Sequence, residues 1–159
     1  MCSSDLRLFS AFDLPIPPED YFTTVDGQPT VPYFNAGVLA FSSFAMRTLV
    51  PIWIDLTRQL IARFELLGGE TDFCEQASLS MALVAANVDF VPFGNEMNFP
   101  IHLSLPPGSL MHHTDPAIIH YHSLRDERGF VLASRYPVAN QRIAQFNARL
   151  NEVFRAADA

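Results

Sequence analysis

Between Val31 and Phe41 the chain reads VPYFNAGVLAF, apolar on both alternating faces and rich in residues that favour extended backbone. A strand of that pattern tolerates water on neither side, so it calls for a covering layer on each face. Upstream, Leu8 to Gln28 carries Pro15, Pro17, Pro18 and Gly27, which predicts an irregular extended connection. Downstream, Ser42 and Ser43 offer caps for a helix that Pro51 re-starts or kinks, with Trp53, Leu56, Leu60 and Phe64 on its apolar side. Gly68 and Gly69 end it, and Asp72 and Glu75, at capping-box spacing, open a second helix that runs to about Ala86.

The remaining segments extend the same scheme. Val88 to Phe93 reads as a short strand. Phe99 to Pro116 is a long loop because it holds Pro100, Pro106, Pro107, Gly108 and Pro116. Ala117 to His122 reads as a buried strand, and Pro137 to about Ala156 as a helix with Ile143, Phe146, Leu150, Val153 and Phe154 along one side. Strand, helix, helix, strand, loop, strand and helix make an α/β arrangement. A mixed sheet of so few strands has an open edge, so part of it is expected to be missing or paired elsewhere.

Composition narrows the function classes. A chain of 159 residues that is 49% hydrophobic and 17% charged is long enough to bury a core, as one domain or part of one. Asn35, Arg47, Asp55 and Arg58 interrupt its apolar segments before any reaches the roughly 18 residues of a spanning helix. A net charge of −7 leaves no basic stripe for a phosphate backbone, so nucleic acid is not an expected partner. All ten cationic side chains are arginine, the bias of a GC-rich bacterial coding sequence. Two cysteines, Cys2 and Cys74, make no disulfide framework, which fits a reducing cytoplasm. The first six residues, MCSSDL, resemble no targeting signal. Back-translated with a GTG start they match a common sequencing-adapter end. Residues 1–6 are therefore expected to be non-native, and residues 7–159 to be the C-terminal part of a single domain.

Four short motifs stand in order: Tyr33-Phe34-Asn35-Ala36-Gly37-Val38, Asp72-x-x-Glu75-Gln76, Met97-Asn98-Phe99-Pro100, and Ile118-Ile119-His120-Tyr121-His122. Their order and intervals, over about residues 31 to 123, resemble those of glycogenin-like glycosyltransferases, where the elements read roughly FNSG, DxxDQ, an apolar residue before YN or WN, and VHF. Ala36 replaces the family's serine and Glu75 its aspartate. No Asp-x-Asp motif and no N-terminal βαβ unit occur in the chain.

The resemblance implies an incomplete GT-A-type fold, a mixed sheet flanked by helices without its N-terminal nucleotide-binding half. It also implies a parent enzyme that moves a hexosyl group, with retention, from a nucleoside-diphosphate sugar to a hydroxyl acceptor. Asp72, Glu75 and Gln76 would be the catalytic, sugar-lining residues, and Asn35, Gly37 and Asn98 would bind substrate. His120 would complete the shell of a Mn²⁺ or Mg²⁺ ion. This chain alone, lacking the phosphate-binding half, is expected to be inactive.

Each of these residues also has a plainer reading. Asn35 satisfies a neighbouring loop, Gly37 permits close packing or a bulge, and Asp72 with Glu75 caps a helix. His120 and His122, two apart on a strand, face one way and sit at a wet strand end. His112 and His113 lie in the proline-rich loop, and Cys74 is a small buried hydrophobe. Two other functions compete with sugar transfer. One makes His102, His112, His120 and His122 the metal site of a hydrolase or oxygenase. The other is a non-catalytic carbohydrate-binding or scaffold module that completes its sheet against a partner.

Overall fold

The computed structural model describes residues 3–24, 27–68, 71–106 and 109–157. Contacts divide the chain into two units, Met1–Val91 and Pro92–Ala159, each with its own apolar core.

The first unit is built on two helices. Helix α2 (Ser43–Ile61) starts at the expected cap, with the Ser42 hydroxyl accepting from the Ala45 amide at 3.1 Å. Pro51 lies inside this helix without ending it. Pro51 and Arg47 are both exposed, so the Arg47 carbonyl that a proline leaves without an amide partner is open to water. Leu49, Leu56 and Leu60 are buried along one face of α2, each contributing about 1.5–3 kcal/mol relative to exposure. That face packs on α3 (Cys74–Ala86), in which Cys74 and every residue from Ala77 to Leu83 are buried. Burial all round marks α3 as the central element of the unit. It ends at Asn87, whose left-handed backbone lets its amide reach the Leu83 and Val84 carbonyls.

Two expectations fail ahead of these helices. The chain was expected to be irregular from Leu8, but helix α1 spans Ser3–Ala11 and buries Leu8 and Phe9. The first proline comes only at position 15, and a Schellman-type end closes the helix. Asp13 takes the left-handed conformation, its amide bonds to Ser10 O, and the Leu14 amide bonds to Phe9 O at 2.9 Å. Arg63 covers this end, donating to Ala11 O at 3.2 Å and stacking over Phe12.

The strand expected from Val31 to Phe41 is absent. Among the described residues the pairing here is a two-residue hairpin, β1 (Tyr21–Phe22) against β2 (Pro29–Thr30). Val31 and Pro32 are buried, and the chain then turns. The amide of Tyr33 bonds back to Val31 O and that of Gly37 to the Asn35 side chain, so local bonds take the donors a ladder would have used. Val88–Phe93 is likewise no strand, with Val91 86% exposed. Phe90 instead joins Tyr21 and Phe34 in an aromatic trio with centroids 5.2–5.7 Å apart.

The second unit contains a parallel pair, β3 (Phe99–Pro100) and β4 (Ile119–His120), and helix α4 (Pro137–Ala157). Of the five residues expected to face the core from α4, only Ile143 is buried; Ala139 joins it, whereas Phe146 and Val153 are exposed. Polar side chains hold the start of the helix: Asn140 and Ser134 bond to each other's segments, and the Asn147 carboxamide takes both the N–H and the C=O of Val131. Tyr136, fully buried, packs edge-on against Phe99 at 5.4 Å. Its hydroxyl donates to Leu103 O at 2.5 Å and accepts from the Leu105 amide at 3.0 Å. That pins the loop after β3.

Candidate functional site

The sequence-predicted residues divide between the two units. In the first, Asn35 and Gly37 lie in an exposed turn, the Gly37 amide donating to Asn35 Oδ1 at 2.7 Å. The buried-strand setting expected for Asn35 is therefore corrected. Its side chain closes an Asx-type turn at the surface. Ala36, between them, packs on the core that α3 helps to build.

The carboxylates at the start of α3 are also placed differently from expectation. Helix α3 begins two residues later than predicted, at Cys74, after a short 3₁₀ turn at Thr71–Phe73. Its N-cap residue is Phe73, with no side-chain cap bond, so Asp72 is not the cap and the capping box is not formed. Asp72 and Glu75 are exposed, and Gln76 is half-buried. What fixes this end of the helix is Trp53, whose indole N–H is within bonding distance of Glu75 O at 3.0 Å and of Ser78 Oγ at 3.1 Å. Ser78 in turn meets Thr57 Oγ1 at 2.8 Å. A polar lattice from α2 thus sets the backbone that carries Glu75, leaving the carboxylates free to meet solvent or a ligand. Cys74 beside them is buried, and its thiol pKa is raised by that burial and, secondarily, by the Glu75 charge, so it is no nucleophile.

In the second unit the β3–β4 pair brings two of the four motifs together. Phe99 stands opposite Ile119 and Pro100 opposite His120. Asn98 thus enters β3 beside the strand that carries His120, and both are half-buried. His120 does not lie on a longer buried strand. Strand β4 ends there, and His122 takes a left-handed backbone, φ 50°.

Three imidazoles gather at this end. The ring centres of His102 and His120 are 5.0 Å apart, those of His102 and His122 5.1 Å, and those of His120 and His122 6.2 Å. The register explains the meeting, because an offset of twenty residues across the parallel pair puts position 102 level with 122. The His120 pKa is lowered, first by burial and then by the charges of His102 and His122, so its neutral form is favoured. His112, grouped with these residues on sequence grounds, stands elsewhere. Its ring packs on Tyr136 at 5.4 Å and its Nε2 lies 3.2 Å from Pro106 O. His113 is exposed.

A Mn²⁺ or Mg²⁺ ion at His120 would need hard oxygen donors. The neighbours of His120 are imidazoles, and among the described residues no group of three His, Cys, Asp or Glu side chains stands ready to hold a metal. The residues present do not fit that ion. Among the described residues no helix is long and apolar enough to cross a membrane. No family model matches the chain, and no curated protein or solved structure matches it either.

Proposed function

We propose that the chain is the C-terminal part of a cytoplasmic, retaining GT-A-type glycosyltransferase, and that its first unit carries the sugar-binding groups. The four ordered motifs support this reading. The observation that carries it is the state of Asp72 and Glu75. Two carboxylates at a helix start are ordinarily explained by capping, and here the N-cap residue is Phe73, without a side-chain cap bond, while Asp72 and Glu75 are both exposed. Vicinal sugar hydroxyls are donors that such carboxylates accept well, while the carboxamides of Gln76 and Asn35 both donate and accept.

In the parent reaction the bond between the anomeric carbon and the diphosphate oxygen breaks, its electron pair leaving with the diphosphate, and a bond to the acceptor hydroxyl oxygen forms, that hydroxyl's proton passing to the departing diphosphate. The part of these residues is to orient the hexosyl ring so that one face of the anomeric carbon is presented. The Mn²⁺ or Mg²⁺ that the resemblance implies would need donors beyond those found around His120.

Trp53, the only tryptophan, touches the Glu75 carbonyl and so provides the probe. Its fluorescence should respond saturably to a nucleoside-diphosphate hexose from a panel of uridine and guanosine donors. Asp72→Asn and Glu75→Gln should each weaken the response while leaving the circular dichroism spectrum intact. A response absent for every donor, or unchanged in both variants, overturns the reading.

A further inference from the structure

Independently of the sugar reading, we infer that His102, His120 and His122 form an acid-sensitive latch on the β3–β4 pair, closed while the rings are neutral and opened when they take up protons. The three ring centres lie 5.0, 5.1 and 6.2 Å apart. Like charges at such separations stand inside the roughly 8 Å screening length of physiological salt, so each proton taken up opposes the next. The rings are neighbours because their strands are paired, Pro100 standing opposite His120. The His120 carbonyl fastens that end of the pair. It accepts from the Ile101 amide at 3.2 Å and lies 3.2 Å from His102 Nδ1, which carries the proton in the neutral ring because a carbonyl only accepts. With two residues in each strand, these bonds are a large part of what keeps the pair closed. One proton on His102 strengthens its bond to the carbonyl, so opening comes with the second charge in the trio. Rings that repel gain distance when the pair opens, and protonation therefore competes with pairing.

The surrounding charges leave this repulsion in force. His122 shares a shallow surface groove with Ser123, Arg125, Asp126 and Glu127, its Nδ1 lying 3.3 Å from Ser123 Oγ. Arg125 adds to the repulsion and Glu127 opposes it, while Asp126 is occupied, its Oδ1 accepting from the Arg128 and Phe130 amides. Glu96 lies on the 3₁₀ turn Asn95–Asn98, which packs on β4, but its carboxylate stands against Gly94. Beyond β3, the Arg135 guanidinium donates to the Ser104 hydroxyl. The His120 pKa is lowered by burial first, and then by the charges of His102 and His122. In the unfolded chain a histidine titrates near its ordinary value of about 6.5, so as pH falls the unfolded chain takes up this proton first. The stability of the closed pair is therefore full above that value and is lost as pH falls through it towards the folded one.

The test follows the full chain from about pH 7.5 to about pH 5.5, by long-range proton–nitrogen spectra of the histidine rings and by native-state amide exchange. His102, His120 and His122 should titrate as one broadened, coupled set, with the exposed His113 apart from it. The Ile101 amide, corrected for the intrinsic effect of pH on exchange, should lose at least about threefold in protection, while that of Leu79, buried within α3, keeps its own. His102→Gln and His122→Gln each remove a charge, so each should raise the titration midpoint of His120, and His113→Gln should not move it. If a variant fails to fold, the wild-type spectra and exchange still decide. Protection at Ile101 that stays flat over this range, a loss shared equally by Leu79, or a His120 midpoint unmoved in both variants overturns the latch.

Discussion

The buried hydroxyl of Tyr136 offers a sharp test of how the second unit is held together. Tyr136→Phe removes one oxygen and keeps the ring, so the edge-on contact with Phe99 and the core volume survive. What is lost is the pair of bonds that fasten the loop after β3: donation to Leu103 O and acceptance from the Leu105 amide. Each bond is worth about 1 kcal/mol net, and a stranded buried donor adds about another 1 kcal/mol at its site. Leu105 is 8% exposed, so its amide regains no water, whereas the half-buried Leu103 carbonyl recovers some. The total comes to about 2–3 kcal/mol. Native-state amide exchange reads it directly at Ile101, whose amide bonds across to His120 O and is not itself touched by the substitution. Its opening free energy should fall by about that amount. Protection at Ile101 within about 0.5 kcal/mol of wild type would refute the claim that this hydroxyl pins the loop.

Other perturbations test separate parts of the structure. Ser80 is 2% exposed and its hydroxyl meets no partner among the described residues, so Ser80→Ala should raise stability by about 1 kcal/mol in urea unfolding, removing an orphan and adding helix propensity. Gly129 has φ 89° in the turn that Asp126 Oδ1 closes on the Arg128 and Phe130 amides, and Gly129→Ala should cost about 1–2 kcal/mol by the same assay although a methyl group meets nothing within 4 Å. The Cys74 thiol pKa is raised by burial and by Glu75, so the folded chain holds this proton at pH values where the unfolded chain has released it. Its stabilising contribution is therefore full below the unfolded thiol pKa and declines as pH rises beyond it. The stability gap between wild type and Cys74→Ala should narrow from neutral to alkaline pH, and in a Cys2→Ser background iodoacetamide should label the native protein far more slowly than the urea-unfolded one.

Where the determinants were local, they could be read from the chain. Ser42 caps α2, α3 ends at Ala86 and α4 starts at Pro137, because a helix bonds within itself and its period and caps lie in consecutive residues. Strands failed for the opposite reason. VPYFNAGVLAF has the composition of a buried strand, but a strand needs a partner to bond to, and without one Asn35 and Val31 capture the nearby amides. The site divides on the same line. Asn35, Asp72, Glu75 and Gln76 could be named from the sequence, yet whether Asp72 caps depends on where α3 begins, and a 3₁₀ turn moved that start to Cys74. His102, His112, His120 and His122 could be grouped from the sequence, but which of them meet could not be read from it. His102 and His122 are brought level by the register of a two-residue parallel pair, and a strand that short carries too little pattern to fix a register from sequence. The same register explains why His112, ten residues from His102 and eight from His120, belongs to a different part of the fold and packs on Tyr136 instead. Proximity among histidines in this chain follows strand pairing and not spacing, so any change that unpairs β3 from β4 is predicted to separate His102 from His120 and His122 even though all five histidines stay in place.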